Sequence, residues 1–189
     1  SDTLSKMNKS LILTIAPGKA RFYPEYVPDD MLHVSNQTNY DGFVRAAKEA
    51  NLDILDFADY FLKSKDTSKY LLFPKLGTHW SAYGACLAED SLIHYIERVR
   101  KVDLPELLWS VDGLKRAYGT DYDIADGMNL LYRIRGPELA YPIVSYEQDS
   151  SKVQLKVITI ADSFYWIFVY NHIGDIFKKH QFWYYYKDI

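Results

Sequence analysis

The chain has 189 residues, 48% hydrophobic and 25% charged, the profile of a globular protein long enough to bury a core as a single domain. A formal net charge of −3 and a pI near 5.9 set aside a nucleic-acid backbone as the main partner. No apolar run approaches the roughly 18 residues of a membrane span, and the single cysteine, Cys86, excludes an internal disulfide and any zinc site built from paired cysteines.

The chain opens on Ser1-Asp2-Thr3, without a methionine or a basic-then-apolar leader, and stops soon after the aromatic run Phe182-Trp183-Tyr184-Tyr185-Tyr186. It reads as a trimmed piece of a longer protein whose targeting segment lies elsewhere. Residues 11–16 form an apolar run closed by Pro17-Gly18, the pattern of a strand covered on both faces of a parallel sheet. A Pro- and Asp-rich loop containing His33 is expected from Tyr23 to about Asn39. Then Phe43, Ala46, Ala47 and Ala50 fall at helical spacing over Tyr40 to Ala50. Leu52 to Phe57 is a second short strand, which completes a βαβ unit.

The longest predicted helix covers 81–101, with Ser81 as N-cap, an apolar stripe through Tyr83, Cys86, Ile93 and Ile96, widened by Leu87 and Leu92, and Arg98, Arg100 and Lys101 at its C-terminal end. Short helices are expected at 105–117 and near 126–132. Val153 to Ile160 passes from alternation to an unbroken apolar stretch, as a strand entering the middle of a sheet does. A helix from Phe164 to Lys179 and a strand-like run from Phe182 to Tyr186 follow. No repeat or linker divides the chain, so residues 1–189 are expected to form one domain.

Two segments carry chemistry. In Ile160-Ala161-Asp162-Ser163-Phe164 a serine comes directly after a strand and directly before a helix. That turn lifts the hydroxyl above the sheet edge and aims free helix N–H groups beside it, donors of the kind that hold an oxyanion at about 3 kcal/mol each. Asp and Ser at this position also serve as ordinary helix caps. In Pro74-Lys75-Leu76-Gly77-Thr78-His79-Trp80-Ser81 a histidine stands immediately before the long helix. A helix N-terminus disfavours the imidazolium and keeps His79 able to accept a proton, while Trp80 walls the site against water. The other reading is a loop histidine beside a core tryptophan. His94, His172 and His180 lie in or beside helices without such company. The 17 tyrosines suit sugar stacking or a Tyr-rich core and surface. Lys19 is either a ligand for an anionic sugar or acetyl donor or a solvated loop lysine. Asn129 is either an oxyanion donor or a buried structural amide.

In combination these segments resemble the alginate O-acetyltransferase-like SGNH hydrolases. Gly77-Thr78-His79-Trp80-Ser81 with Gly84 is similar to that family's Asp-Thr-His-Trp block, and Ala161-Asp162-Ser163-Phe164 to its Gly-Asp-Ser-Phe nucleophile block. Pro17 to Pro28, with Tyr23-Pro24-Glu25-Tyr26-Val27-Pro28, resembles the Tyr-Pro-Glu-Tyr stretch near that domain's start, and Ile124-Ala125-Asp126-Gly127-Met128 a degenerate Gly-Asp-Met segment. The resemblance implies an α/β three-layer αβα SGNH-hydrolase-like domain with a mostly parallel central sheet, an extracytoplasmic location and O-acetyl chemistry on a polysaccharide or acetylated glycan. A membrane-bound acetyl-donor protein is the implied partner; no cofactor, metal or nucleic acid is. Ser163 becomes the nucleophile, His79 the general base and Asp162 the carboxylate that organises the turn. Lys19, Tyr23, Trp80 and Asn129 fall to substrate binding.

The chain departs from the family at Gly77, where the histidine-orienting aspartate is expected. Losing that carboxylate is costly to turnover. Three readings are open: a backbone carbonyl stands in its place, another carboxylate (Asp56, Asp59, Asp66 or Asp126) reaches in, or the domain is catalytically impaired and serves as a glycan-binding or scaffold module.

Overall fold

The computed structural model describes residues 2–31 and 38–188; His33 and much of the expected loop before Asn39 lie outside the described residues. The chain divides into two compact units, residues 1–64 and residues 65–189.

The first unit holds α1 (Asp2–Lys6), β1 (Ile12–Ile15), α2 (Lys19–Phe22), α3 (Asn39–Glu49), β2 (Asp53–Asp56) and α4 (Phe57–Ser64). β1 and β2 pair in parallel, Ile12 opposite Asp53 through Ile15 opposite Asp56, with α3 in the crossover. The start of α3 is set by a capping box: Asp41 N–H donates to Thr38 Oγ1, and Asp41 Oδ2 accepts from Thr38 N–H at 2.9 Å. Of the apolar positions expected to line its inner face, Ala47 is buried whereas Phe43 is 69% exposed. β1 is half-buried rather than covered on both faces. The core of this unit is aromatic, with Phe22, Phe57 and Phe61 buried and Phe22 edge-on to Phe61.

The second unit is built around α5 (Ala82–Arg100), whose residues Tyr83, Cys86, Ala88, Leu92, Ile93 and Ile96 are buried. Lys101 closes it in a left-handed conformation, its N–H returning to the Glu97 carbonyl. Beyond it come β3 (Leu107–Ser110), β4 (Leu114–Arg116), α6 (Asp123–Gly127), β5 (Glu138–Ala140), β6 (Ile143–Tyr146), β7 (Lys156–Ala161), α7 (Trp166–Tyr170), β8 (Lys179–Tyr184) and α8 (Tyr185–Asp188). β3 pairs antiparallel with β6, β4 antiparallel with β5, and β7 parallel with β8. The strands of the described residues thus form two-stranded sheets, two parallel and two antiparallel.

Three predicted helices are corrected. Residues 105–117 form β3 and β4, because their hydrogen-bonding partners at 138–146 lie far downstream of any local window. The helix expected over 164–179 is broken into a 3-10 turn at Ser163–Tyr165, the short α7, a second 3-10 turn at Ile173–Ile176 and the first residue of β8. Its aromatic and β-branched run is a poor helix former, and Asn171 followed by His172 at φ 64° stops it. The helix expected near 126–132 is α6, which starts three residues earlier and ends at Gly127. β7 is not buried on both faces: Ile158 and Ile160 are 60% and 56% exposed.

One buried carboxylate ties this unit together. Glu89 of α5 accepts the Tyr146 hydroxyl from β6 and the Asn171 amide at 2.6 Å. Burial pushes its carboxyl up to about 7 against the opposing effect of those two donors. Among the described residues no helix is long and apolar enough to cross a membrane.

Candidate active site

The histidine is delivered by the start of α5. Ser81 is fully buried; its Oγ accepts from Gly84 N–H at 2.9 Å and donates to the Leu71 carbonyl at 2.6 Å. Its own N–H donates to the Leu72 carbonyl at 2.9 Å. Three bonds therefore pin the residue that starts the helix, and with it the two residues before, His79 and Trp80. Trp80 is buried and stacks on Phe168 at 5.3 Å between ring centroids, with Phe164 edge-on to it at 5.3 Å. Phe164 also meets the His79 ring edge-on at 4.8 Å. The aromatic residue that follows the serine is thus a wall of the histidine's pocket.

The serine is delivered by the turn after β7. Asp162 Oδ1 accepts from Phe164 N–H at 3.0 Å, and the Asp162 carbonyl accepts from Tyr165 N–H at 3.3 Å. Trp166 N–H returns to the Ser163 carbonyl. Asp162 is the N-cap of a 3-10 turn, and the amides that a long helix would leave free are taken up inside it. The Ser163 N–H is the amide at this turn that the cap does not use.

These two deliveries bring Ser163 Oγ to 2.8 Å from His79 Nε2. The His79 side chain is 17% exposed. Burial holds its imidazole below the ordinary histidine range, against the opposing pull of the Asp123 and Asp162 charges. A neutral ring at neutral pH can take a proton from the serine. The other ring nitrogen, Nδ1, is buried and has no hydrogen-bond partner among the described residues. It faces the Oδ2 of Asp123 at 3.9 Å, while Asp123 Oδ1 accepts from Thr78 N–H at 2.7 Å and from Thr78 Oγ1 at 3.1 Å.

Asp123 is none of the four carboxylates expected for this place. Asp56 and Asp59 belong to the first unit, where Asp56 accepts from Tyr40 and from Asp59 N–H, and Asp59 pairs with Lys63 at 2.6 Å. Asp126 follows Asp123 on α6 and lines a depression with Tyr122, Asn129 and Arg133. Asp66 makes no ion pair among the described residues. Nothing in the sequence singled Asp123 out, because acidic residues are common in the first turn of any helix.

The residues expected to bind substrate are placed differently from one another. Trp80 lies in the pocket wall just described. Asn129 takes φ 49° just past α6 and lines the Tyr122–Arg133 depression, which contains none of Ser163, His79 and Trp80. Tyr23 is 5% exposed and packs edge-on against Phe22 at 4.8 Å, which leaves little ring surface for a sugar. Lys19 starts α2 in the first unit, its ammonium 5.9 Å from the Tyr23 ring centroid. Cys86 is fully buried in α5, and burial pushes its thiol up, so it offers no competing nucleophile. Among the described residues no group of three or more His, Cys, Asp or Glu side chains is placed to hold a metal.

Comparison with known proteins adds a family to this geometry. Residues 1–106 match the family model described as the SGNH hydrolase-like domain of the acetyltransferase AlgX. The match contains His79 and ends before Ser163. A probable alginate O-acetylase AlgJ of Pseudomonas aeruginosa is 28% identical over 102 residues, 54% of this chain and 26% of that protein. The chain therefore spans about a quarter of the length of the curated relatives it matches. Among solved structures, the O-acetyltransferase domain of Pseudomonas putida AlgJ superposes with a TM-score of 0.64 at 21% identity, over 97% of this chain and 66% of that one. AlgX of Pseudomonas aeruginosa gives 0.62 at 12% identity, over 96% and 46%. At these identities the likeness is one of fold.

Proposed function

We propose a function from one premise: the chain belongs to the family of SGNH hydrolase-like domains of the acetyltransferase AlgX. On that premise it is a serine-dependent enzyme that transfers O-acetyl groups to a polysaccharide, or removes them from one. The observation that carries the reading is the 2.8 Å approach of Ser163 Oγ to His79 Nε2, between segments 84 residues apart.

In the mechanism, His79 Nε2 takes the hydroxyl proton as Ser163 Oγ forms a bond to the acetyl carbonyl carbon. The carbonyl oxygen becomes an oxyanion, for which the Ser163 N–H, left over by the cap, is a backbone donor of the turn. As the tetrahedral intermediate collapses, the bond to the donor's ester oxygen breaks and His79 returns its proton to that oxygen. The acetyl-serine is then attacked by a sugar hydroxyl, again deprotonated by His79, and the proton passes back to Ser163 Oγ as the acetyl leaves. A water molecule in place of the sugar gives an esterase. Trp80, Phe164 and Phe168 form a desolvated wall on one side of the histidine, which favours the neutral base and restrains water.

The reading extends to the whole protein. Residues 1–189 are taken as one three-layer αβα domain of a longer protein, supported by the parallel pairings β1–β2 and β7–β8 and by the SGNH hydrolase-like fold of the matched structures. Because the matched relatives are named as alginate O-acetylases, the chain is read as acting outside the cytoplasm, in the periplasm or at the cell surface; a membrane-bound acetyl-donor protein is the partner that the family resemblance implies.

The test is an acetyl-transfer assay. The purified protein is given a chromogenic acetyl ester, with and without a de-acetylated acidic polysaccharide, and both ester cleavage and polymer-bound acetyl are measured. Ser163-dependent cleavage, with acetyl appearing on the polymer, is the expected result. If neither reaction depends on Ser163 while the polymer still binds, the domain is a glycan-binding module and the enzymatic reading falls.

A further inference from the structure

We propose that Asp123 is the positioning carboxylate of His79, brought in from a segment outside the histidine's own loop, and that residue 77 is glycine because this same segment fills the space that a side chain there would need. The proposal rests on the Ser163–His79 reading and deepens it.

The tautomer comes first. For Nε2 to accept the serine proton, the neutral ring must carry its own proton on Nδ1. That nitrogen is buried and unpartnered, a costly state for a donor. Asp123 Oδ2, at 3.9 Å, is the carboxylate oxygen facing it. This distance is beyond a hydrogen bond, as resting active sites often show before the substrate complex tightens them. The carboxylate is prepared for that role, because Thr78 N–H and Thr78 Oγ1 both hold Oδ1 and leave Oδ2 for the imidazole. Thr78 is the residue directly before His79, so one short stretch carries the base and fixes the group that orients it.

The second observation is steric. A Cβ built at Gly77 falls 2.6 Å from the Asp121 carbonyl carbon and 2.7 Å from its Cα, and closer still to the Thr120 carbonyl oxygen. All three are backbone atoms, which do not yield as a flexible side chain does. The segment that occupies this space is anchored. Asp121 is 3% exposed and bonded to the Tyr141 hydroxyl and the Ala82 N–H, and Ala125 N–H donates to the Leu76 carbonyl at 3.3 Å. The 3-10 turn Gly119–Asp121 and the start of α6 are therefore pressed onto residues 76–78, and that contact both excludes a side chain at 77 and delivers Asp123. The glycine and the relocated carboxylate are two consequences of one packing arrangement.

The test separates this proposal from the reading beneath it. Asp123→Asn and Thr78→Val are compared with wild type and Ser163→Ala in the acetyl-ester assay across pH, and the His79 ring is titrated by NMR in the Ser163→Ala background with and without Asp123→Asn. The charged groups acting on the ring are Asp123 and Asp162, and the second is kept in every variant. Asp123→Asn should lower kcat by about 10²-fold or more, with KM changed little. Removing the anion also withdraws support from the imidazolium, so the acid limb of kcat/KM and the NMR titration of His79 should both move to lower pH. Thr78→Val, which keeps the charge and removes one of the two bonds to Oδ1, should give a smaller loss. If Asp123→Asn keeps kcat within about threefold and leaves the His79 titration in place while Ser163→Ala is inactive, Asp123 is not the positioning residue. If Ser163→Ala is as active as wild type, the acyl-enzyme reading is what fails.

Discussion

Replacing Ser163 or His79 by alanine is expected to lower acetyl-ester turnover by about 10⁴-fold or more, and the double variant is expected to be no worse than either single one. The non-additivity is the informative part. The two side chains meet at 2.8 Å through Nε2 and Oγ, and each is idle without the other: the serine has no base, or the base has no hydroxyl to deprotonate. Both substitutions should leave the fold intact. The residues that pin the neighbouring elements are Ser81, bonded to Gly84, Leu71 and Leu72, and Asp162, bonded to Phe164. Steady-state kinetics on all three variants, with thermal midpoints measured alongside, checks this. Losses that multiply in the double variant would mean that Ser163 and His79 act separately.

Introducing at Gly77 the aspartate that the family resemblance leads one to expect there is expected to harm the protein rather than complete its site. The new Cβ would overlap the backbone of Thr120 and Asp121, and overpacking of this kind costs about 1–3 kcal/mol. For a chain of this size that lowers the thermal midpoint by roughly 2–4 °C per kcal/mol. Relief of the overlap must push the 119–123 segment outward, which carries Asp123 away from Nδ1, so activity should fall with stability. Gly77→Ala should show the same destabilisation, because the clash lies at Cβ and not at the carboxylate. Thermal denaturation and acetyl-ester kinetics on both variants decide the matter. A Gly77→Asp protein as stable as wild type and more active would show that the segment does not fill that space.

The parts of this site that could be read from the sequence are those whose signals are local. Ser81 as a helix N-cap, His79 just ahead of it and Ser163 between a strand and a helical turn each follow from neighbours within a few residues. The first βαβ unit was legible for the same reason, since an apolar run, a helically spaced stretch and a second short strand are each written locally. What escaped depends on contacts across long sequence separations. Asp123 gains its meaning from Thr78, 45 residues earlier, and nothing in its own surroundings marks it. Leu107–Ser110 is a strand because Ile143–Tyr146 lies beside it, although its composition admits a helix. Gly77 read as the loss of a carboxylate, whereas the close approach of Thr120 and Asp121 gives it a positive reason to be glycine. The long helix expected after Ser163 failed on local grounds that were visible, in Asn171, His172 and Gly174, but that the apolar periodicity outweighed.

Ser163 is expected to carry the acetyl group as a covalent intermediate. The most direct measurement is intact-protein mass spectrometry after rapid quenching with an activated acetyl ester, followed by peptide mapping. A single added acetyl group is expected on Ser163, absent from Ser163→Ala and strongly diminished in His79→Ala, and it should disappear when an acceptor polysaccharide is supplied. Turnover that persists in Ser163→Ala, or an acetyl group found on another residue and passed from there to the acceptor, would contradict it.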